Sequence, residues 1–104
     1  MTEIRYKRRA FSFEMEGHAG AGSVGNDLVC AALSTLAQTL EKRCMELCEQ
    51  MQPEIRKRSG YISILCKPTK SARQKCRQMM DTVYAGCELL ADNFPENVCL
   101  HEEN

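Results

Sequence analysis

The sequence predicts an α+β fold, a two-layer sandwich in which two helices cover one face of a mostly antiparallel sheet. Two observations lead to this class. Several short segments alternate apolar and polar residues, as half-buried strands do, and two long segments repeat apolar residues every three or four positions, as amphipathic helices do. Their order along the chain is ββαββαβ, so neighbouring strands can pair as hairpins.

A hairpin and a long helix are expected in the first half of the chain. The two strands fall at residues 3–6 and 11–16, where apolar and polar side chains alternate. The helix is expected to begin near Asn26 or Asp27, because either side chain can cap a helix N-terminus, and Pro53 is expected to stop it. Its apolar stripe comprises Val29, Leu33, Leu36, Leu40, Cys44, Leu47 and Met51.

The second half repeats this arrangement and adds a final strand. A third strand begins at Ile55, and after a turn a fourth strand spans Tyr61–Lys67. Ser71 and Gln74 have the spacing of a capping box, which predicts the start of a second helix. A short last strand is expected at residues 98–100. The apolar stripe of the second helix comprises Ala72, Cys76, Met79 or Met80, Val83, Cys87 and Leu90.

Size and charge limit the classes of function. A chain of 104 residues fits one domain, residues 1–104. Lys and Arg number 14, as do Asp and Glu, so the balance gives no general attraction to nucleic acid or to a membrane. No apolar stretch approaches the roughly 20 residues of a membrane span, and the charged N-terminus lacks an apolar signal core. We therefore expect a cytoplasmic protein.

Seven cysteines are expected as free thiols, because their number is odd and the expected compartment is reducing. They form no paired Cys/His cluster with the spacing of a zinc site. Most fall on the predicted apolar faces, where a free cysteine packs as a small hydrophobe. We expect no metal and no cofactor. His101, in the acidic C-terminal segment, is expected to be solvated.

Between the second strand and the first helix lies a glycine-rich segment, residues 17–30. It contains four of the six glycines and, at His18, one of the two histidines. Residues 20–25 match G-x-G-x-x-G, but a dinucleotide site also needs an acidic residue at the end of the next strand about 20 positions on. The predicted helix is still running there. We interpret the segment as a loop whose glycines permit positive φ angles.

Cys30 differs from the other cysteines. It is expected on the first turn of the helix, where unpaired backbone N–H groups stabilise a thiolate. It is rotated about 100° from the apolar stripe, and its neighbours on that face, Ser34 and Ala37, are small enough to leave room beside the sulfur. His18, if the loop folds back, can take the thiol proton. Cys30 is therefore a candidate nucleophile, with a packed thiol as the alternative.

The glycine-rich segment also carries a longer motif. It consists of Gly17-His18-Ala19, then Gly25-Asn26-Asp27-Leu28-Val29-Cys30-Ala31, with Ser34 one turn further on. This pattern resembles the family of ribosomal-processing cysteine proteases known as Prp, which carries Gly-His-Ala followed at the same spacing by Gly-x-Asp-Ile-Val-Cys-Ala and a serine. The resemblance covers nearly the whole chain. There are two departures: Ala21-Gly22 stands where the family often has Tyr-Ala, and Leu28 replaces isoleucine.

The resemblance implies a cytoplasmic, homodimeric endopeptidase of firmicute bacteria. Such an enzyme removes a short N-terminal extension from a large-subunit ribosomal protein, cutting after an aromatic pair. The resemblance makes Cys30 the nucleophile and His18 the general base. We expect the backbone N–H groups of Cys30 and Ala31 to hold the oxyanion. Supporting or substrate-binding roles fall to the other motif positions, Gly17, Ala19, Gly25, Asp27, Ala31 and Ser34.

Two other classes of function stay open at this stage. A non-enzymatic module associated with the ribosome would bind a basic partner through the acidic C-terminal end, with Cys30 merely packed. A thiol redox sensor would oxidise Cys30 reversibly and cleave no peptide. The role of Asp27 is also open between orienting His18 and capping the helix.

Overall fold

The computed structural model describes residues 1–17 and 24–104, and for residues 24–27 it describes the backbone alone. The predicted fold class and the order ββαββαβ are confirmed, with one short helix added after the first long one. A single 3-10 turn, Lys70–Ala72, precedes the last helix. The elements are β1 (Thr2–Lys7), β2 (Ser12–Gly17), α1 (Val24–Glu46), α2 (Cys48–Met51), β3 (Pro53–Arg58), β4 (Tyr61–Cys66), α3 (Arg73–Asn93) and β5 (Val98–Glu103).

The five strands form one mixed sheet in the order β3-β4-β2-β1-β5. Three of its pairings are antiparallel, as predicted, and the pairing of β1 with β5 is parallel. Because β1 and β5 are parallel, no tight turn can join them, and the chain between them forms the long crossover connection that a parallel pair needs. In this sheet β1 is flanked by β2 and β5, and Thr2 is paired with both Gly17 and Val98.

Alternation along the strands gives the sheet two different faces. On one face, apolar side chains from the strands form the core together with α1 and α3. On the opposite face, residues such as Glu3, Arg5 and Glu14 are partly exposed and form ion pairs with one another. The buried strand residues include Ile4, Tyr6, Phe13, Met15, Ile62, Ile64 and Val98.

Helix α1 buries most of the predicted stripe and differs from the prediction at both ends. It begins at Val24, so Asn26 and Asp27 lie inside it; a capping residue marks where a helix can begin, and helix boundaries shift by a residue or two. It ends at Glu46, before α2, rather than running through to Met51. Neither α1 nor any other helix in the described ranges has the length and apolar content needed to cross a membrane.

Helix α3 confirms the predicted stripe but not the predicted cap. The residue in the N-cap position is Ala72, whose side chain makes no capping hydrogen bond. Ser71 lies within the preceding 3-10 turn, so it is not in the N-cap position that a capping box requires. The residues of α3 that are buried are Cys76, Met80, Val83, Tyr84 and Cys87.

A polar clamp joins β1 to α3 at the margin of the core. The Tyr6 hydroxyl donates a 2.6 Å hydrogen bond to Asp81, and the Arg8 guanidinium donates to both carboxylate oxygens of Asp81, at 3.0 and 2.8 Å. The hydrogen bonds from Arg8, and then from Tyr6, hold the pKa of Asp81 below its usual range. The Tyr6 ring also packs against Tyr84, with ring centroids 5.0 Å apart.

Replacing Tyr6 with phenylalanine tests the clamp. The substitution Tyr6→Phe keeps the ring in the core and removes the O–H that Asp81 accepts, so the free energy of unfolding is expected to fall by about 1 kcal/mol. Urea denaturation measures it. Tyr84→Phe deletes the same atom from the neighbouring ring and is the matched control, for which a smaller loss is expected. If the two variants lose the same free energy of unfolding, the hydrogen bond from Tyr6 to Asp81 does not stabilise the fold as expected.

Candidate active site

A cavity of about 370 Å³ lies between α1 and the end of the sheet where β2 stops and the β3–β4 hairpin turns. Its apolar floor includes Met15 of β2 and Ile62 of β4. One wall is a face of α1, and the opposite rim is formed by Gly17 and Gly60 with the charged end of β3. The cavity therefore joins residues that are far apart in sequence.

The wall on α1 carries Cys30, Ser34 and Gln38. These residues are four positions apart, so helix geometry places them on one face. Cys30 is partly buried and packs against the core, whereas Ser34 and Gln38 are exposed. Ala37 also lines the cavity and is fully buried. Ser34 and Ala37, the small side chains expected on the face of Cys30, both line the same cavity as Cys30.

The position of Cys30 within α1 differs from the prediction. Because α1 begins at Val24, Cys30 is its seventh residue and lies beyond the first turn. The unpaired N–H groups of a helix are those of its first four residues, here 24–27, and the effect of the helix dipole also fades within the first turn. The N–H groups of Cys30 and Ala31 point to carbonyls four residues back. They do not form the predicted oxyanion site.

Gly17 is fixed by the geometry at the rim. Its φ angle is +107°, and a Cβ atom at this position would lie 2.5 Å from the backbone oxygen of Met1. Its N–H donates a 2.8 Å hydrogen bond to the carbonyl of Gly60. This bond ties the end of β2 to the turn of the β3–β4 hairpin. Only glycine fits such a backbone without strain.

Two cations lie on the β3 side of the cavity, each close to a carboxylate. Lys57 is 2.8 Å from Glu41 of α1. Arg58 lies over the ring of Tyr61, 3.8 Å from its centroid, and is 3.3 Å from Glu16. The Tyr61 hydroxyl is in turn held by a carboxylate of β2. The contact with Glu41 holds Lys57 on the side of the sheet that faces α1, whereas the contacts of Arg58 with Tyr61 and Glu16 lie on the opposite face.

The structure places the remaining predicted residues in different ways. His18 and Ala19 lie outside the described residues. Gly25 and Asp27 belong to the first turns of α1, where the backbone alone is described. Ala31 is exposed on α1, next to Cys30. Three of the predicted site residues, Gly17, Cys30 and Ser34, line the cavity together. Gly17 belongs to β2, and Cys30 and Ser34 lie on successive turns of α1.

Gln38, Lys57, Arg58 and Tyr61 line the cavity and were missed by the sequence analysis. One signal was available for Lys57. In β3, Ile55 and Lys57 share the face directed at the helices, so a lysine occupies a strand position where the alternation predicts an apolar residue. A charged residue at such a position indicates that an oppositely charged side chain lies nearby or that the core is open to solvent at that point.

Four of the other cysteines have the packing role predicted for them. Cys44, Cys66, Cys76 and Cys87 are all buried. The sulfur atoms of Cys44 and Cys66 are 3.5 Å apart. Hydrogen bonding to Cys44 and Cys76, together with burial, raises the pKa of Cys66, and burial raises the pKa of Cys87 to about 12. The raised pKa makes Cys66 and Cys87 poor nucleophiles. Hydrogen bonding to Cys66 lowers the pKa of Cys44 and Cys76, and burial keeps these two thiols from a substrate.

Alkylation of the native protein tests this division of the cysteines. A small reagent is expected to modify only the exposed and partly buried thiols. The thiolate is the reactive form of cysteine, and the reagent cannot reach the buried sulfur atoms. Mass spectrometry after digestion identifies the sites, and unfolded protein, in which all seven react, is the control. Labelling of any buried cysteine at the rate of Cys48 would contradict the assignment. The thiols expected to react are Cys30, Cys48 and Cys99.

The substitution Gly17→Ala tests the rim. Backbone strain and the contact with Met1 are expected to lower the free energy of unfolding by about 2 kcal/mol or more. Gly60→Ala is the comparison, because Gly60 has a φ of +70°, a left-handed conformation that costs an L-residue about 1–2 kcal/mol. Urea denaturation measures both. If Gly17→Ala lowers the free energy of unfolding less than Gly60→Ala does, the backbone around Gly17 can shift to accommodate a Cβ atom, and the proposed constraint is wrong.

The structure is similar to solved structures of bacterial proteins. The ribosomal processing protease Prp from S. aureus, with a covalently linked product peptide, is 19% identical over 99% of this chain and 100% of that chain, with a TM-score of 0.82. The same protease with a substrate peptide is 18% identical over 99% and 100%, with a TM-score of 0.81. SMU.848 from Streptococcus mutans is 25% identical over 98% and 91%, with a TM-score of 0.71.

Sequence comparison gives the family. No curated protein sequence matches the chain significantly. The sequence model of the family described as cysteine protease Prp matches residues 1–99, which is nearly the full length. Together with the shared fold, this match shows that the chain belongs to the Prp family of cysteine proteases.

Proposed function

We propose that this chain is an endopeptidase in which Cys30 is the nucleophile and His18 the general base. The observation that carries the proposal is the position of Cys30 on the wall of the cavity, beside small side chains. Of the seven cysteines, Cys30 is the one that lines the described part of the cavity. A cysteine protease needs a thiol that a peptide can reach, and the four core thiols are shielded.

His18 is supported by its place in the chain. It directly follows Gly17, and Gly17 lines the cavity. His101 is on β5, and none of the described cavity-lining residues belongs to that strand. Imidazole is the side chain best suited to accept a thiol proton and return it near neutral pH.

The reaction then proceeds in two stages. The Cys30 thiolate attacks the carbonyl carbon of the scissile bond, and a C–S bond forms as the carbonyl electrons move to oxygen. The tetrahedral intermediate collapses, the C–N bond breaks, and the protonated His18 gives its proton to the leaving amine. Water, deprotonated by His18, attacks the thioester and releases the second product and the thiolate.

The rest of the wall on α1 is suited to holding the substrate backbone. Ser34 is one turn from Cys30, which places the two Cβ atoms about 5–6 Å apart. We assign its exposed hydroxyl a hydrogen bond to the peptide backbone beside the scissile bond. Lys57, on the helix-facing side of β3 across the cavity, adds positive potential where the oxyanion develops. It takes the place of the helix N–H groups that the sequence predicts for this role.

The substrate that this family membership favours is the N-terminal extension of a large-subunit ribosomal protein. The support is the family match and the structural likeness to a ribosomal processing protease bound to substrate and product peptides. We place the reaction in the cytoplasm, where ribosomal proteins are made, and propose a homodimer on the resemblance given above. No nucleic acid takes part directly, because the charge balance gives no general attraction to it.

A cleavage assay tests the proposal. The substrate is a peptide that spans the extension junction of the large-subunit ribosomal protein from the same organism. The wild-type chain is expected to cleave it once, and Cys30→Ala to reduce kcat at least about a thousandfold, because the nucleophile is lost. Cys48→Ala is the matched control, since Cys48 is exposed on α2, and full activity is expected.

Other outcomes of the cleavage assay would overturn the proposal or move the nucleophile. Binding of the peptide without cleavage by folded wild-type protein would overturn the proposal in favour of a binding module. Reversible oxidation of Cys30 without cleavage would favour a redox sensor. Full activity in Cys30→Ala would move the nucleophile to another residue. Circular dichroism of every variant establishes that it is folded.

A further inference from the structure

Three metal-ligating side chains meet on the face of the sheet opposite the helices. In the parallel pairing of β1 and β5, Glu3 is opposite Cys99, and His101 follows two residues later on the same face. His101 Nε2 is 3.1 Å from Glu3 Oε1 and 3.5 Å from Cys99 Sγ. His101 is therefore partly buried and in contact with two side chains, although its place in the acidic C-terminal segment predicts a solvated side chain.

Direct hydrogen bonding pairs His101 Nε2 with only one of its two neighbours at a time. Both neighbours approach the same ring nitrogen, His101 Nε2. If this nitrogen carries a proton, it donates to the Glu3 carboxylate, and the Cys99 thiol lacks an acceptor there. If it carries a lone pair, it accepts from the thiol and faces the carboxylate oxygen without a proton between them. A cation at the centre would satisfy all three groups at once.

The two separations from the histidine nitrogen are close to those of a tetrahedral metal site. Zinc lies about 2.0–2.1 Å from histidine nitrogen, 2.0–2.2 Å from carboxylate oxygen and 2.3 Å from cysteine sulfur. Tetrahedral angles then separate nitrogen from oxygen by about 3.3–3.5 Å and nitrogen from sulfur by about 3.5–3.6 Å. The separations in the structure are 3.1 and 3.5 Å, and all three donor atoms lie within 4.8 Å of one another.

We propose that Glu3, Cys99 and His101 bind a divalent transition-metal ion, with zinc the preferred ion and water in the fourth position. As the sulfur–metal bond forms, the thiol proton of Cys99 leaves to solvent. Arg5, 3.7 Å from Glu3 Oε1, is placed to hold the carboxylate from outside the ligand shell. Within the described residues this is the one group of three such side chains close enough to share an ion.

The ion would join the two ends of the chain. Glu3 belongs to the first strand and His101 to the last, 98 residues apart. A ligand that binds only the folded state stabilises it by mass action, so the metal is expected to strengthen the attachment of β5 to β1. The cavity lies on the other face of the sheet, so this role does not depend on the catalytic proposal.

Titration with Co²⁺ tests the site, since cobalt replaces zinc and its absorption reports the ligands. The reduced full chain is expected to bind one equivalent, with the sulfur-to-cobalt charge-transfer band and the intense visible bands of a tetrahedral ion. Cys99→Ser is expected to abolish the charge-transfer band. Cys30→Ser and Cys48→Ser, which remove the other accessible thiols, are the controls and are expected to retain it.

Glu3→Gln and His101→Gln are expected to weaken Co²⁺ binding at least tenfold. Zn²⁺ is expected to raise the Tm of the wild-type chain, and less so that of these two variants, with circular dichroism confirming that each folds. Failure to bind cobalt, or a charge-transfer band that survives Cys99→Ser, would overturn the proposal. A band lost only in Cys30→Ser would assign the metal to the cavity thiol instead.

Discussion

The geometry of helix α1 is the constraint on which the site depends. A helix turns by about 100° per residue, so burying Val29 and Leu33 against the sheet determines where the following residues point. Cys30 and Ser34, each one position later, are rotated to the margin of the core, where the sheet ends at the β3–β4 hairpin. The same packing that stabilises the fold therefore places a thiol at the wall of a cavity instead of in the core.

The sheet supplies the other side of this arrangement. Gly17 ends β2 with a φ of +107° and is bonded to Gly60, so the edge of the cavity is held by backbone rather than by side chains. The β3–β4 hairpin then contributes Lys57 and Arg58, each held by a carboxylate of a different element. A peptide entering the cavity would meet a rim held by backbone hydrogen bonding and the positive charge of Lys57, which suits a site that must orient a bond for attack.

The sequence was sufficient for features set by local pattern. The strands, the hairpins and the buried stripes follow from alternation and helical spacing, as Phe13 and Leu40 show. Features set by contacts between distant segments were not predictable in this way. The 3-10 turn that displaces Ser71 from the cap, and the parallel pairing that brings Glu3 to His101, depend on how the chain closes. The cavity itself requires β3 to lie beside α1.

If the cavity presents Cys30 to an extended peptide, a reagent that resembles the substrate will trap this cysteine covalently. A chloromethyl ketone built on the residues that precede the cleavage site of the ribosomal protein would bind as the substrate does, and the attacking sulfur would displace chloride. Mass spectrometry of the folded chain is predicted to show one added peptide, on Cys30, formed faster than the reaction of a simple alkylating reagent with Cys48. Attachment to Cys48 or Cys99, or no attachment to folded protein, would contradict the account.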